Sequence, residues 1–189
     1  MKNLVISLRI SVVFAVLLGL LYPLAMTAIS VLVFPHQAGG EFVTRQGQAV
    51  GSILIAQKFS RPEYFWPRPS AIDFNPLPSG GSNLGLASQD LKKAVEERRL
   101  KLKAAHPEQT GEPPQDLLFA SGSGLDPHIS PEAAEYQAQR VARTRSLALE
   151  EVRRLIESVR ERRQIGILGE STVNVLVLDL ALDEAQGKK

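Results

Sequence analysis

The chain has 189 residues, with 22 Lys+Arg against 20 Asp+Glu and no cysteine. Without cysteine there is no disulfide, thiolate metal site or cysteine nucleophile. Once Lys2 and Arg9 at the front are set apart, the remainder balances at 20 of each sign, so it lacks the basic footprint of a nucleic-acid-binding protein.

Residues 1–9 carry Lys2 and Arg9, and no charged side chain follows from Ile10 to Pro35. The apolar run over 10–34 is long enough, at about 1.5 Å per helical residue, to cross a hydrocarbon core of about 30 Å. It continues through Ile29-Ser30-Val31-Leu32-Val33-Phe34 with no small-residue cleavage pattern after it, so a retained span is expected rather than a signal peptide. Basic residues cluster before the span, and only Arg45 follows it until Lys58. That asymmetry predicts a cytoplasmic N-terminus and a main domain outside. Ser11, Ala15 and Gly19 recur every four residues, a spacing that lets another helix approach closely in lipid. Pro23 predicts a kink.

Residues 35–50 read as linker and domain entry, and 51–189 as an extracytoplasmic soluble domain. Ser52-Ile53-Leu54-Ile55-Ala56 suggests a short buried strand. From Arg61 to Gly85 the chain is rich in Pro, Gly, Ser and Asn and encloses Tyr64-Phe65-Trp66 and Arg68. So long an irregular stretch is typically functional, and Tyr64, Trp66 and Arg68 are candidates for partner contact, or for a cation–π contact inside the domain.

A helix is expected from about Ser88 to Ala105, stopped by Pro107. Leu117-Leu118-Phe119 suggests a brief strand. Ser130-Pro131-Glu132 has the form of a helix start: a capping hydroxyl, proline at the first position and an acid in the first turn. That helix should reach about Arg145, and another should span about Ala148 to Arg163. Val173 to Leu182, apolar on both alternating faces except for Asp179, predicts a central strand. The fold class expected is one N-terminal transmembrane helix plus an α/β (α+β) domain with a small sheet and about three helices.

No arrangement of nucleophile and base is visible, and no catalytic residue is assigned. Ser121-Gly122-Ser123-Gly124-Leu125 before a helix start is a weak nucleotide candidate. It matches neither the P-loop nor G-x-G-x-x-G nor G-x-S-x-G, and a tight turn needing glycine is the better account of it. Asp126 with His128 could begin a metal site or an acid–base pair, but the other histidines, His36 and His106, lie far along the chain and no metal is expected.

The order of the unusual segments carries a resemblance. Leu21-Tyr22-Pro23-Leu24, Phe34-Pro35-x-Gln37-Ala38, Gly51-Ser52-x-Leu54-Ile55-x-Gln57-x-Phe59, Tyr64-Phe65 and Arg68-Pro69-Ser70-Ala71 come in sequence. Ser79 to Leu84, Ser121 to Asp126, Ile129-Ser130-Pro131, Val173-Asn174-Val175 and Asp179 to Asp183 follow. Together they resemble the C subunit of the bacterial Kdp potassium-transporting P-type ATPase over nearly the whole chain. Three positions depart from that family's habit: Ala56 for glycine, Phe74 for tyrosine and Asp179 for asparagine.

The resemblance implies an accessory subunit of an inner-membrane complex, with a channel-like A subunit, an ATP-hydrolysing B subunit and a small F subunit as partners beside the bilayer. This chain has no Asp-Lys-Thr-Gly phosphorylation motif, so it is not expected to be the enzyme of such a complex. Two roles are open. One is an external stabiliser of assembly. The alternative is a catalytic chaperone raising the ATP affinity of the B subunit, with Ser121 to Leu125 as the matching nucleotide signature; ATP enters only through the resemblance.

Overall fold

The computed structural model describes residues 2–45 and 47–187, so Gln46, within the sequence-read linker, lies outside it. The chain divides into two compact units, Met1–Phe42 and Val43–Lys189.

The first unit is dominated by one continuous helix, Lys2–Val33, none of whose most apolar window is buried. It is long and apolar enough to cross a membrane. It is α-helical over Lys2–Val16 (α1), π-wound over Leu17–Leu21, and α-helical again over Tyr22–Val33 (α2). Pro23 explains the wide turn. Its ring would press on the Gly19 carbonyl four residues back, and it has no N–H to offer. Winding that turn wide, with Tyr22 N–H donating to Leu17 O, relieves the conflict. The Thr27 hydroxyl donates to Pro23 O at 2.8 Å. Gly19 falls inside the π turn, whereas Ser11 and Ala15 lie on α1. The helix stops at Phe34 (φ −130°, ψ 58°), because Pro35 disfavours helical dihedrals in the residue before it. Pro35–Ala38 (α3) adds one further turn.

The second unit mixes helices with two small sheets. Phe42–Arg45 (β1) pairs with Gln48–Ser52 (β2). The strand expected over Ser52–Ala56 is not formed. β2 ends at Ser52, whose hydroxyl takes Leu54 N–H at 3.2 Å and turns the chain, leaving Leu54 and Ile55 exposed.

Gln89–Ala105 (α4) begins at Ser88, whose hydroxyl caps Leu91 N–H. Leu117-Leu118 lies in a short helix, Gln115–Leu118 (α5), instead of a strand. Pro131–Arg145 (α6) has Ser130 as its cap, accepting from Ala133 N–H at 3.0 Å, as the sequence implies. Leu149–Ser158 (α7) ends five residues earlier than expected, and the chain passes into Arg160–Glu161 (β4).

The run from Val173 to Leu182 is the main correction. Only Thr172–Asn174 (β5) is strand, central in the antiparallel order β3-β5-β4 with His128–Ile129 (β3) on its other edge. Asn174 then caps a helix, Val175–Ala185 (α8), by accepting Val177 N–H at 3.2 Å. Four of the described helices in this unit exceed two turns: α4, α6, α7 and α8.

The core is built around α6. Its Ala133, Ala134, Ala138, Val141 and Ala142 are buried, and they pack in one cluster with Val152 and Ile156 of α7, Leu178 and Leu182 of α8, and Phe65. Alanines let the neighbouring helices approach closely, and burial of the larger aliphatics contributes about 1.5–3 kcal/mol each.

Candidate functional site

Helix α6 carries Gln137, Arg140 and Arg145 on a buried face, and α8 carries Asp179 and Asp183 one turn apart. All five reach the irregular strap from Arg61 to Trp66. Gln137 brackets Trp66, taking its N–H at 2.8 Å and donating to its carbonyl at 3.1 Å. Arg140 donates to the carbonyls of Pro62 and Tyr64, the latter at 3.0 Å, and to Gln137 Oε1 at 2.8 Å. Arg145 Nε donates to Glu63 O at 2.6 Å. Asp179 Oδ1 accepts Phe65 N–H at 2.9 Å. Asp183 Oδ2 accepts from Arg45 at 2.8 Å and from Tyr64 OH at 3.3 Å, and its Oδ1 forms an ion pair with Arg145 at 2.9 Å. A segment with no ladder partner thus has its buried backbone groups satisfied by helix side chains.

His106, fully buried, closes this clamp. Its Nδ1 lies 2.8 Å from Leu102 O, and a carbonyl only accepts, so Nδ1 carries the proton. Nε2 is then free to accept from Arg140 Nε at 2.9 Å. Burial, reinforced by the Arg140 cation, pushes the imidazole below its ordinary range. Burial also lowers Arg140 to about 10, still charged at neutral pH. Asp179 moves the other way. Burial drives it well above a usual carboxylate, and its Oδ2 has no hydrogen-bond partner among the described residues.

Tyr64 and Trp66 serve this clamp. The Arg140 guanidinium lies 4.3 Å over the Trp66 ring, and those of Arg61 and Arg145 lie 4.9 and 4.8 Å over Tyr64. Trp66 also lines a groove of about 230 Å³, with Phe59, Phe74 and Leu117 and the basic side chains of Lys58, Arg68, Arg98 and Lys101. Lys58 is paired with Asp73 and Arg68 with Asp126, while Lys101 lies 5.5 Å over Trp66.

The Ser121–Leu125 segment is a self-bonded turn. Ser121 Oγ accepts from Ser123 and Gly124 N–H at 3.3 and 3.1 Å, and Ser123 Oγ accepts from Leu125 N–H at 3.1 Å. Ser121 N–H donates to Pro69 O, and Ser123 O receives Gly80 N–H. Gly124 has φ +72°, and a Cβ there would meet Ile72 Cγ1 at 2.6 Å and Gly80 O at 2.9 Å. A Cβ on Gly81 would meet Gly122 O at 2.8 Å. The glycines let two loops interlock, with the amides of Ser123, Gly124 and Leu125 bonded within the turn and that of Ser121 bonded to Pro69.

Asp126 links the turn to Arg68 and to His128, whose ring lies 3.7 Å from Asp126 and 3.6 Å from Glu161. Burial works to raise Asp126, but the hydrogen bonds from His128 and Arg68 outweigh it and hold the carboxyl low. The Asp126 bond raises His128. Among the described residues no group of three His, Asp or Glu is arranged to hold a metal.

The family described as "KdpC: K+-transporting ATPase, c chain" matches residues 4–184. The chain belongs to the KdpC family. It is 47% identical over 189 residues to the potassium-transporting ATPase KdpC subunit of Geotalea uraniireducens (strain Rf4), covering 97% of this chain and 98% of that one. It is 52% identical over 181 residues to the subunit of the same name from Janthinobacterium sp. (strain Marseille), covering 92% and 95%. It is also 52% identical over 175 residues to that of Sorangium cellulosum (strain So ce56), covering 90% and 91%.

In this KdpC chain the sequence-picked residues separate. Tyr64, Trp66 and Arg68 meet at the strap and groove, Ser121 to Leu125 adjoin them through Asp126, and Ser11, Ala15 and Gly19 belong to the other unit. Sequence reasoning missed Gln137, Arg140 and His106. A signal exists: Gln137 and Arg140 share a face with Ala133, Ala134 and Val141, so polar side chains interrupt what is otherwise a buried stripe.

Proposed function

We propose that this chain is a non-catalytic accessory subunit of an ATP-driven potassium-uptake complex, and that its domain stabilises assembly of the channel-like A and ATP-hydrolysing B subunits from outside the cytoplasm. Membership of the KdpC family supplies the complex. The observation that carries the role is the clamp: the buried polar side chains at the domain's centre, Gln137, Arg140, His106 and Asp183, are consumed in fixing the strap. Such a domain is suited to presenting a rigid surface. The helix Lys2–Val33, unburied in its apolar window, offers its sides to lipid and to partner helices such as those of A, B and F. Ending the chain after Gly40 tests this. Loss of the complex from membranes is expected, and intact assembly with normal potassium uptake would contradict the role.

The chaperone reading is favoured by the groove, whose lining combines aromatic rings with basic side chains and suits a nucleotide better than the self-bonded Ser121–Leu125 turn. It requires the domain to be cytoplasmic, where ATP is. Protection of Trp66 fluorescence by ATP, lost in Lys101→Ala, would support it; no response to millimolar ATP would count against it.

A further inference from the structure

Between β4 and β5 the chain runs out as a hairpin with no buried residue from Arg162 to Glu170. Its tip is held in a fixed geometry. Gln164 and Leu168 exchange both backbone hydrogen bonds at 2.9 Å, and Gly166 N–H donates to Arg163 O at 3.1 Å. Ile165 and Gly166 are both left-handed, at φ +55° and +76°. Ile165, Ile167 and Leu168 are 88%, 77% and 59% exposed.

Folding does not account for this tip. A β-branched residue is among the least suited to a left-handed position, and asparagine before glycine suits it best. Asparagine would also be the better residue to leave in water. Isolated exposed aliphatics are ordinary, but three within four residues on a hydrogen-bonded tip, one of them in a disfavoured conformation, mark a contact surface. The charges around it have a sign. Arg160 is paired with Glu157, and Glu161 faces His128. Arg162 and Arg163 make no ion pair among the described residues, with Glu170 the acid at the hairpin's other side.

We propose that this tip docks into an apolar pocket bordered by carboxylates on another protein chain of the transport complex. The inference rests on the complex membership proposed above. A protein pocket fits better than the bilayer. Lipid rewards apolar area at any backbone geometry and does not require a strained, rigid tip, and the tip lacks the Trp or Tyr that anchor at an interface.

Two measurements on the full-length chain in its complex test the proposal. Ile165→Asn relaxes the backbone and removes the apolar contact. Its unfolding temperature should hold or rise, while retention of the other transporter chains on the affinity-tagged variant should fall about tenfold or more. A photoreactive benzoylphenylalanine in place of Ile167 should cross-link to another transporter chain. Undiminished retention in Ile165→Asn, or cross-links only to lipid or to a second copy of this chain, would overturn the docking site. If ending the chain after Gly40 disperses the complex while Ile165→Asn does not, the assembly role stands and the docking site falls. If even that truncation leaves the complex whole, the assembly role itself fails.

Discussion

Arg140 Nε donates to His106 Nε2 at 2.9 Å, across 34 residues of sequence, between two side chains that are almost wholly buried. The bond exists only with the imidazole neutral. Protonation would remove the acceptor and set two cations together.

Stability should therefore fall on acidification. His106 lies below its unfolded value of about 6.5, so below that pH the unfolded chain binds a proton the folded chain refuses. The His106 contribution is constant above about pH 6.5 and is lost below it at up to about 1.4 kcal/mol per pH unit, until the folded value is passed. His128, raised by Asp126, acts oppositely: its contribution is full below about 6.5 and is lost as pH rises through its folded value. Urea titrations of the detergent-solubilised chain, followed by its single tryptophan, should lose the acid limb in His106→Gln and the alkaline limb in His128→Gln.

Removal of Arg140 should be severe. Arg140→Ala leaves the Pro62 and Tyr64 carbonyls, Gln137 and His106 without their common donor, at a cost of about 3–5 kcal/mol. Arg140→Lys should recover little, since one ammonium does not reproduce a planar fork reaching both strap and histidine. Lys58→Ala, which breaks the exposed pair with Asp73, should cost less than about 1 kcal/mol.

Asp179 is expected to behave as a poor asparagine. Its carboxyl is raised far above the unfolded value, so the folded chain holds a proton that the unfolded chain has shed, and the contribution of Asp179 alone declines as pH rises above about 4. Asp179→Asn keeps an oxygen for Phe65 N–H and removes that penalty. Denaturation at pH 7 should show it equal to or more stable than the parent by about 1 kcal/mol or more. A clear loss would mean that the ionised form is held by Arg140 and Arg145.

The interlocked loops give a contrast between Gly122 and Gly124, two residues apart. Gly124→Ala puts a Cβ into Ile72 and the Gly80 carbonyl at a left-handed position, and should cost about 2 kcal/mol or more. Gly122→Ala meets nothing within 4 Å and should be tolerated within about 0.5 kcal/mol. Equal effects would mean that the two loops are not packed as described.

How far these features were legible in the sequence follows from the range of the interactions behind them. The α6 start was readable because Ser130, Pro131 and Glu132 act on backbone groups within one turn. The span was readable from composition, but the π turn was not, since Pro23 announces a kink without saying how the helix absorbs it. Val173 to Leu182 misled because continuous apolar residues satisfy a buried strand and a buried helix alike. Asn174, a capping residue inside that run, was the overlooked discriminator. The clamp was least legible, since Arg140 finds its acceptors 76 and 78 residues away. In sequence, an arginine in a charged helix looks like a solvated one.

The most direct test of the account is the side of the membrane on which the domain lies. Ser60→Cys and Leu86→Cys place single thiols at exposed positions of a chain with no cysteine of its own. A membrane-impermeant maleimide is applied to spheroplasts before and after lysis. Labelling before lysis is expected, and it would remove direct contact with cytoplasmic ATP. Protection until lysis would contradict the external assembly role and turn attention to the groove beneath Trp66 as a nucleotide site.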